Sequence, residues 1–418
     1  MEENQKDKKV YLYSYIISFI VILGLFSLFI YKANENKTKE VVDTVNNSSI
    51  TPDNKSIDIN NSLTSGDFKG AINELEKKGT GNLEKEEKMK LVYSYLAYGN
   101  YFYKEEENSK KAIEILDTLK EESDVLYYKG YANEIIKNYT GALDYYNKGL
   151  EQKDLTNEYK SLLLNQKGHL YDLKGEFNKV LTYYDEAYNL DKNNTMVLSN
   201  LGRYYARTGE YEKAYEILNQ ALSLTDNGPL KSEISFGLSS IELELNGLKP
   251  DIDKSIDYAR QSIKYYPSYP MGYVALSRGL FMKNDLQYNK EIEENLNKSI
   301  ELNPNGYFAY YIYVLYEIDK SNFEKASDYI KKTMYAINSD MILMDSERET
   351  TKNSLMYDSI VIGTLKNGAT DQELLMKLIN KTGKLKNPKI VFQIKRNNYG
   401  IFAPIKDNKE FQELIKNY

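Results

Sequence analysis

The 418-residue chain has no cysteine, no tryptophan and a single histidine, His169. Without thiols it forms no disulfide, thiolate zinc site, iron–sulfur cluster or cysteine nucleophile. One histidine rules out a multi-histidine metal site within one chain. It also ties any Ser-His-Asp arrangement to His169 alone. No phosphate-binding loop is present: Lys384 follows Gly383, but Leu385 stands where the hydroxyl residue belongs. Neither sign of charge is in marked excess, with 55 basic and 61 acidic residues and a formal net charge of −6. A mildly acidic chain is poorly suited to the phosphate backbone, so no nucleic-acid partner is expected. No cofactor or metal is implied. What the chain has instead is tyrosine, 40 of them, with 13 phenylalanines.

After a short tail (1–9), Val10 to Tyr31 contains no charged residue, and Lys9 and Lys32 bracket it. As a helix those residues extend roughly 33 Å, enough to cross a bilayer core. Tyr11, Tyr13, Tyr15 and Tyr31 fall near its ends, where amphipathic rings prefer the interface. The bulky stretch Phe29-Ile30-Tyr31 offers no small-residue cleavage site, so residues 10–31 are expected to be an uncleaved transmembrane helix. Basic residues near the two ends balance. The short lysine-bearing tail favours an inside N-terminus, which places the rest outside the cytoplasm. Residues 32–61 are polar, lack aromatics, and are expected to be a disordered tether with a reach of roughly 30 Å.

From 62 to 340 the apolar spacing is helical and recurs every 34–38 residues or so. Gly130, Gly168 and Gly202 each fall in a first helix, and Ala142, Val180 and Ala214 follow twelve residues later in a second. Tyr146, Tyr184 and Leu218 come four residues on, then Gly149, Ala187 and Ala221. Two antiparallel helices approach closely only where small side chains meet, while large ones fill the flanks. Gly175 and Gly209 supply the left-handed conformation that ends a helix. Gly228-Pro229, Tyr266-Pro267 and Asn303-Pro304 separate repeats.

This pattern, strongest in LLLNQKGHLYDLKGEFNKVLTYYDEAYNLD and LSNLGRYYARTGEYEKAYEILNQALSL, resembles the tetratricopeptide repeat (TPR) family. It is fainter in the segments 230–267, 268–304 and 307–338. LTSGDFKGAINELEKKG looks like the remnant of a first repeat, and YSYLAYGNYFYKEEENSKKAIEILDTLK like a second with a lengthened turn. Extra residues are expected at the turns near Leu248-Lys249-Pro250 and Asp285-Leu286-Gln287. The resemblance implies an all-α fold: a right-handed superhelical array of about eight TPR-like helix pairs, preceded by a single transmembrane helix and a flexible tether. Residues 341–418 read as a C-terminal helical cap, with Phe411, Leu414 and Ile415 at helical spacing. Within it, 386–400 fits a short strand or part of a helix.

In the family's register, the concave groove is lined by Tyr127, Tyr131 and Glu134, then Asn165, His169 and Asp172, then Ser199, Arg203 and Arg207. Tyr127 and Tyr131 stand where a chaperone-binding TPR would have Lys and Asn, which argues against chaperone tails as ligands. Such a groove grips an extended peptide or a helix. No catalytic set is expected, since anchor, tether and repeats use the chain to about residue 340. The expected function is a non-enzymatic membrane-anchored scaffold or adaptor for other proteins, on the extracytoplasmic side of a bacterial-type envelope. Two alternatives stand beside it: a cytoplasm-facing adaptor that recruits soluble partners, and a small-ligand sensor or enzyme using the C-terminal region.

Overall fold

A computed structural model describes residues 58–102, 105–243, 250–320 and 322–339, together with 409. The expected transmembrane helix (10–31), nearly all of the expected tether and the C-terminal cap region, Lys409 apart, lie outside the described residues. No described helix is long and apolar enough to cross a membrane.

The described residues form sixteen α-helices and two short 3-10 turns, with no strand. Consecutive helices pair as α1 (Ile59–Ser65) with α2 (Phe68–Lys77), and α3 (Lys85–Phe102) with α4 (Glu105–Leu116). Next come α5 (Ser123–Ile135) with α6 (Tyr139–Leu150), α7 (Asn157–Leu173) with α8 (Phe177–Leu190), and α9 (Thr195–Thr208) with α10 (Tyr211–Leu224). The last three pairs are α11 (Gly228–Glu242) with α12 (Ile252–Tyr265), α13 (Pro270–Lys283) with α14 (Asn289–Leu302), and α15 (Tyr307–Asp319) with α16 (Phe323–Ser339).

Two readings of the sequence change here. Helix α1, capped by the Asp58 carboxylate, starts inside the segment expected to be tether. The second pair has no lengthened turn: its extra residues extend α3 to 18 residues, and α4 begins at Glu105. The insertion near Asp285 is a turn as expected, a 3-10 segment over Leu286–Tyr288 with Asp285 as its cap.

Burial separates the helices into two layers. Each second helix buries one stripe at i, i+4 and i+7: Ala142, Tyr146 and Gly149 in α6, Val180, Tyr184 and Ala187 in α8, Ala214, Leu218 and Ala221 in α10. First helices are buried nearly all round, as in α11, where Ile234 to Glu242 is buried without a break. They pack on their own second helix, on the second helix before them and on neighbouring first helices. The first helices therefore form the inner layer and the second helices the outer.

The glycines set the crossing. A Cβ on Gly130 would fall 2.3 Å from Tyr146 Cε1, one on Gly168 2.7 Å from Tyr184, and one on Gly202 2.6 Å from Leu218. The small residue of the first helix thus receives the large residue of the second, sixteen positions on. Gly149 does the same for the next pair, where a Cβ would meet Leu163 at 2.9 Å. In α11 serine takes over this role. The Ser239 hydroxyl donates to the Ser255 carbonyl at 2.8 Å and ties the two helices together. Gly175 (φ 72°) and Gly209 (φ 84°) end their helices in the left-handed region, and Lys137 (φ 65°) does so without a glycine.

Candidate functional site

Each inner helix turns its side chains at i, i+3/i+4 and i+7 toward the inner face, so polar residues on consecutive first helices come level with one another. Three bridges, each spanning 35 residues, result. Glu134 in α5 is fully buried; its Oε1 lies 2.6 Å from His169 Nδ1 in α7, and its Oε2 accepts from the Tyr146 hydroxyl at 2.8 Å. Asn200 in α9 donates to Asn165 Oδ1 in α7 at 3.0 Å, and Arg203 donates in turn to Asn200 Oδ1 at 2.6 Å. Arg207 in α9 grips Asp172 in α7 through both guanidinium arms, Nη1 to Oδ2 at 2.5 Å and Nη2 to Oδ1. A two-point guanidinium–carboxylate pair fixes geometry as well as charge. The ladder therefore holds the register of successive first helices, with Asp172, Arg203 and Arg207 as its half-buried members.

The nine groove residues read from the sequence fall on these inner helices. Glu134 meets His169, Asp172 meets Arg207, and Asn165 joins Arg203 through Asn200. Ser199 is buried in α9. Tyr127 and Tyr131 stack on one another with ring centroids 6.4 Å apart; Tyr127 is buried, its hydroxyl 3.6 Å from the Met196 sulfur, and Tyr131 is half-buried. Burial holds both phenols well above their ordinary pKa, with neighbouring Tyr128 and the Glu134 charge adding to the rise. These rings stay neutral, and of the two Tyr131 alone keeps part of its ring exposed.

Sequence reasoning missed Asn200, Met196 and Glu233. Asn200 carried a signal, the shared 35-residue offset. Glu233 in α11 carried none. Its carboxylate accepts from the Tyr101 hydroxyl of α3. Burial raises its pKa, an effect that the Tyr101 bond and the Arg203 charge oppose. Further along, burial pushes Arg278 of α13 down to about 10. Among the described residues no group of three or more His, Cys, Asp or Glu side chains is placed to hold a metal ion.

Comparison with known proteins matches this architecture. Residues 197–231 match the family model of the tetratricopeptide repeat, spanning α9, α10 and the first residues of α11. No curated protein matches the chain in sequence. The APC/C hetero-tetramer Cut9–Hcn1 superposes with a TM-score of 0.51 at 15% identity, over 85% of this chain and 68% of that one. The human IFIT1 dimer with m7Gppp-AAAA superposes with a TM-score of 0.51 at 16% identity, over 83% of this chain and 76% of that one. At such identities the likeness establishes the fold, an all-α array of tetratricopeptide type.

Proposed function

We propose that the chain is a non-enzymatic scaffold whose inner helix layer binds other proteins. The observation that carries this reading is the inner face of α5, α7 and α9, where half-buried Tyr131, Asp172, Arg203 and Arg207 stand on a two-layer frame of packed helices. Preorganised aromatic and charged side chains on packed helices suit an extended peptide or a helix better than they suit bond-making chemistry. The formal net charge of −6 favours protein over nucleic acid as the partner.

Location belongs to the same proposal. The uncharged stretch 10–31 would anchor the array in a membrane, and the polar segment after it would hold the array off the bilayer. The lysine-bearing tail favours the extracytoplasmic side. Deleting residues 1–31 and fractionating cells tests the anchor: the shortened chain is expected in the soluble fraction, and its persistence in membranes defeats the anchor. Protease added to intact cells then reports the side, since an extracytoplasmic array is cut and a cytoplasmic one is spared. The scaffold itself is tested by crosslinking from the inner face in cells.

A further inference from the structure

The array closes on itself. The inner helices of the second and sixth pairs, far apart in sequence, meet in the structure. The Tyr101 hydroxyl of α3 donates to the Glu233 carboxylate of α11, 132 residues away. Asn227, which caps α11, donates to the Tyr93 hydroxyl of α3 at 3.5 Å. The Tyr101 ring meets the Tyr266 ring edge-on at 5.3 Å and stacks on Phe68 of α2 at 5.7 Å. Helix α1 packs on α11. Gly66, which ends α1 at φ 86°, lies so close that a Cβ there would be 2.6 Å from Tyr266 Cε2 and 2.9 Å from Pro229 Cγ.

This joint is slighter than the joints between successive pairs. Those are apolar stripes with a ladder of paired polar groups. Here the half-buried Glu233 carboxylate has its pKa raised by desolvation. The Tyr266 hydroxyl is buried without a hydrogen-bond partner among the described residues. The Asn227–Tyr93 bond is at the limit of length. Buried polar groups with poor partners cost free energy, and local opening runs along the least stable joint. What lies on the inner side of α11 is itself a helix, α3, presenting two tyrosines eight residues apart.

We propose that α1–α3 is a clasp: an intramolecular occupant of the inner face that lifts from α11 and α12 to let a partner helix reach Arg203 and Glu233. The partner is a helix carrying aromatic or hydroxyl-bearing side chains, since α3 shows what that face accepts. The identity of the partner site rests on the scaffold reading; the opening of the clasp does not.

The cysteine-free chain permits a clean test. Lys69→Cys in α2 and Lys264→Cys in α12 are exposed positions on the two sides of the joint. Spin labels on both, in the full chain, report the joint by pulsed electron resonance. The parent is expected to give one narrow, short distance. Tyr101→Ala with Glu233→Ala, or separately Gly66→Val, is expected to give a broad and longer distribution while far-ultraviolet circular dichroism keeps its helical signal. An unchanged distance in both variants overturns the clasp. So does lengthening that comes only with loss of helix, which makes the contact part of the cooperative core. Failure to find a partner leaves these distances as they are and counts against the scaffold reading alone.

Discussion

Glu233 illustrates how a single residue decides more than its position in the sequence announces. Nothing in the local pattern around Ile234 and Phe236 marks it, because its partner Tyr101 is 132 residues away. Its folded pKa lies above the ordinary carboxylate range because burial penalises the charge. For an acid raised in this way the native state binds the extra proton, so stability is fullest at low pH. It is lost as pH climbs from the ordinary carboxylate range through the raised value. Glu233→Gln keeps an acceptor for the Tyr101 hydroxyl and removes the charge. The variant is expected to melt higher than the parent at neutral pH, with the difference shrinking on acidification. Thermal melts across about pH 4 to 8, the range that brackets a raised carboxyl, check this; parallel curves contradict it. Asp172 and Arg207 were, in contrast, singled out by the repeat register. That they grip each other was not legible, since the register between two helices is a tertiary fact.

At the scale of the helix, the small residues were readable and their partners were not. The spacing of Gly130, Gly168 and Gly202 locates the crossing, but the structure assigns them to Tyr146, Tyr184 and Leu218 rather than to the small residues twelve positions on. The left-handed turns at Gly175 and Gly209 were legible because glycine announces them, and the one at Lys137 was hidden because lysine does not. These assignments fix the sign of a substitution. In an open helix Gly→Ala gains about 1 kcal/mol. At Gly130 the new methyl meets Tyr146, which is fully buried and held by Glu134 at 2.8 Å. Overpacking costs roughly 1–3 kcal/mol, so the loss outweighs the gain. Gly130→Ala is expected to lower the melting temperature by several degrees, measured by circular dichroism. A higher melting temperature would mean that Tyr146 yields freely and that the crossing does not depend on it.

For the whole molecule, the eight described helix pairs, laid end to end, need touch only their neighbours, and most of them obey that rule. Besides the Tyr127–Met196 contact, the departure among the described residues is the α1–α3 contact with α11 and α12, which turns an open groove into a guarded one. Local periodicity dictates the pairs, which is why the array was readable. Curvature that brings Tyr93 level with Asn227 sums small rotations over several pairs, and no window of sequence records it. The tyrosines divide accordingly: Tyr146 and Tyr184 are core, Tyr93 and Tyr101 belong to the closing joint, and Tyr131 remains half-buried on the inner face. That last residue offers the most direct test of the central claim, that the inner face binds protein. A photo-activated phenylalanine analogue at Tyr131, with a second at the exposed outer position Glu216 as the control, is irradiated in living cells. The scaffold reading predicts discrete protein adducts from position 131, stronger when Tyr101→Ala and Glu233→Ala are also present, and none of those adducts from 216. Adducts to nucleic acid, or protein adducts from 216 with none from 131, would contradict it.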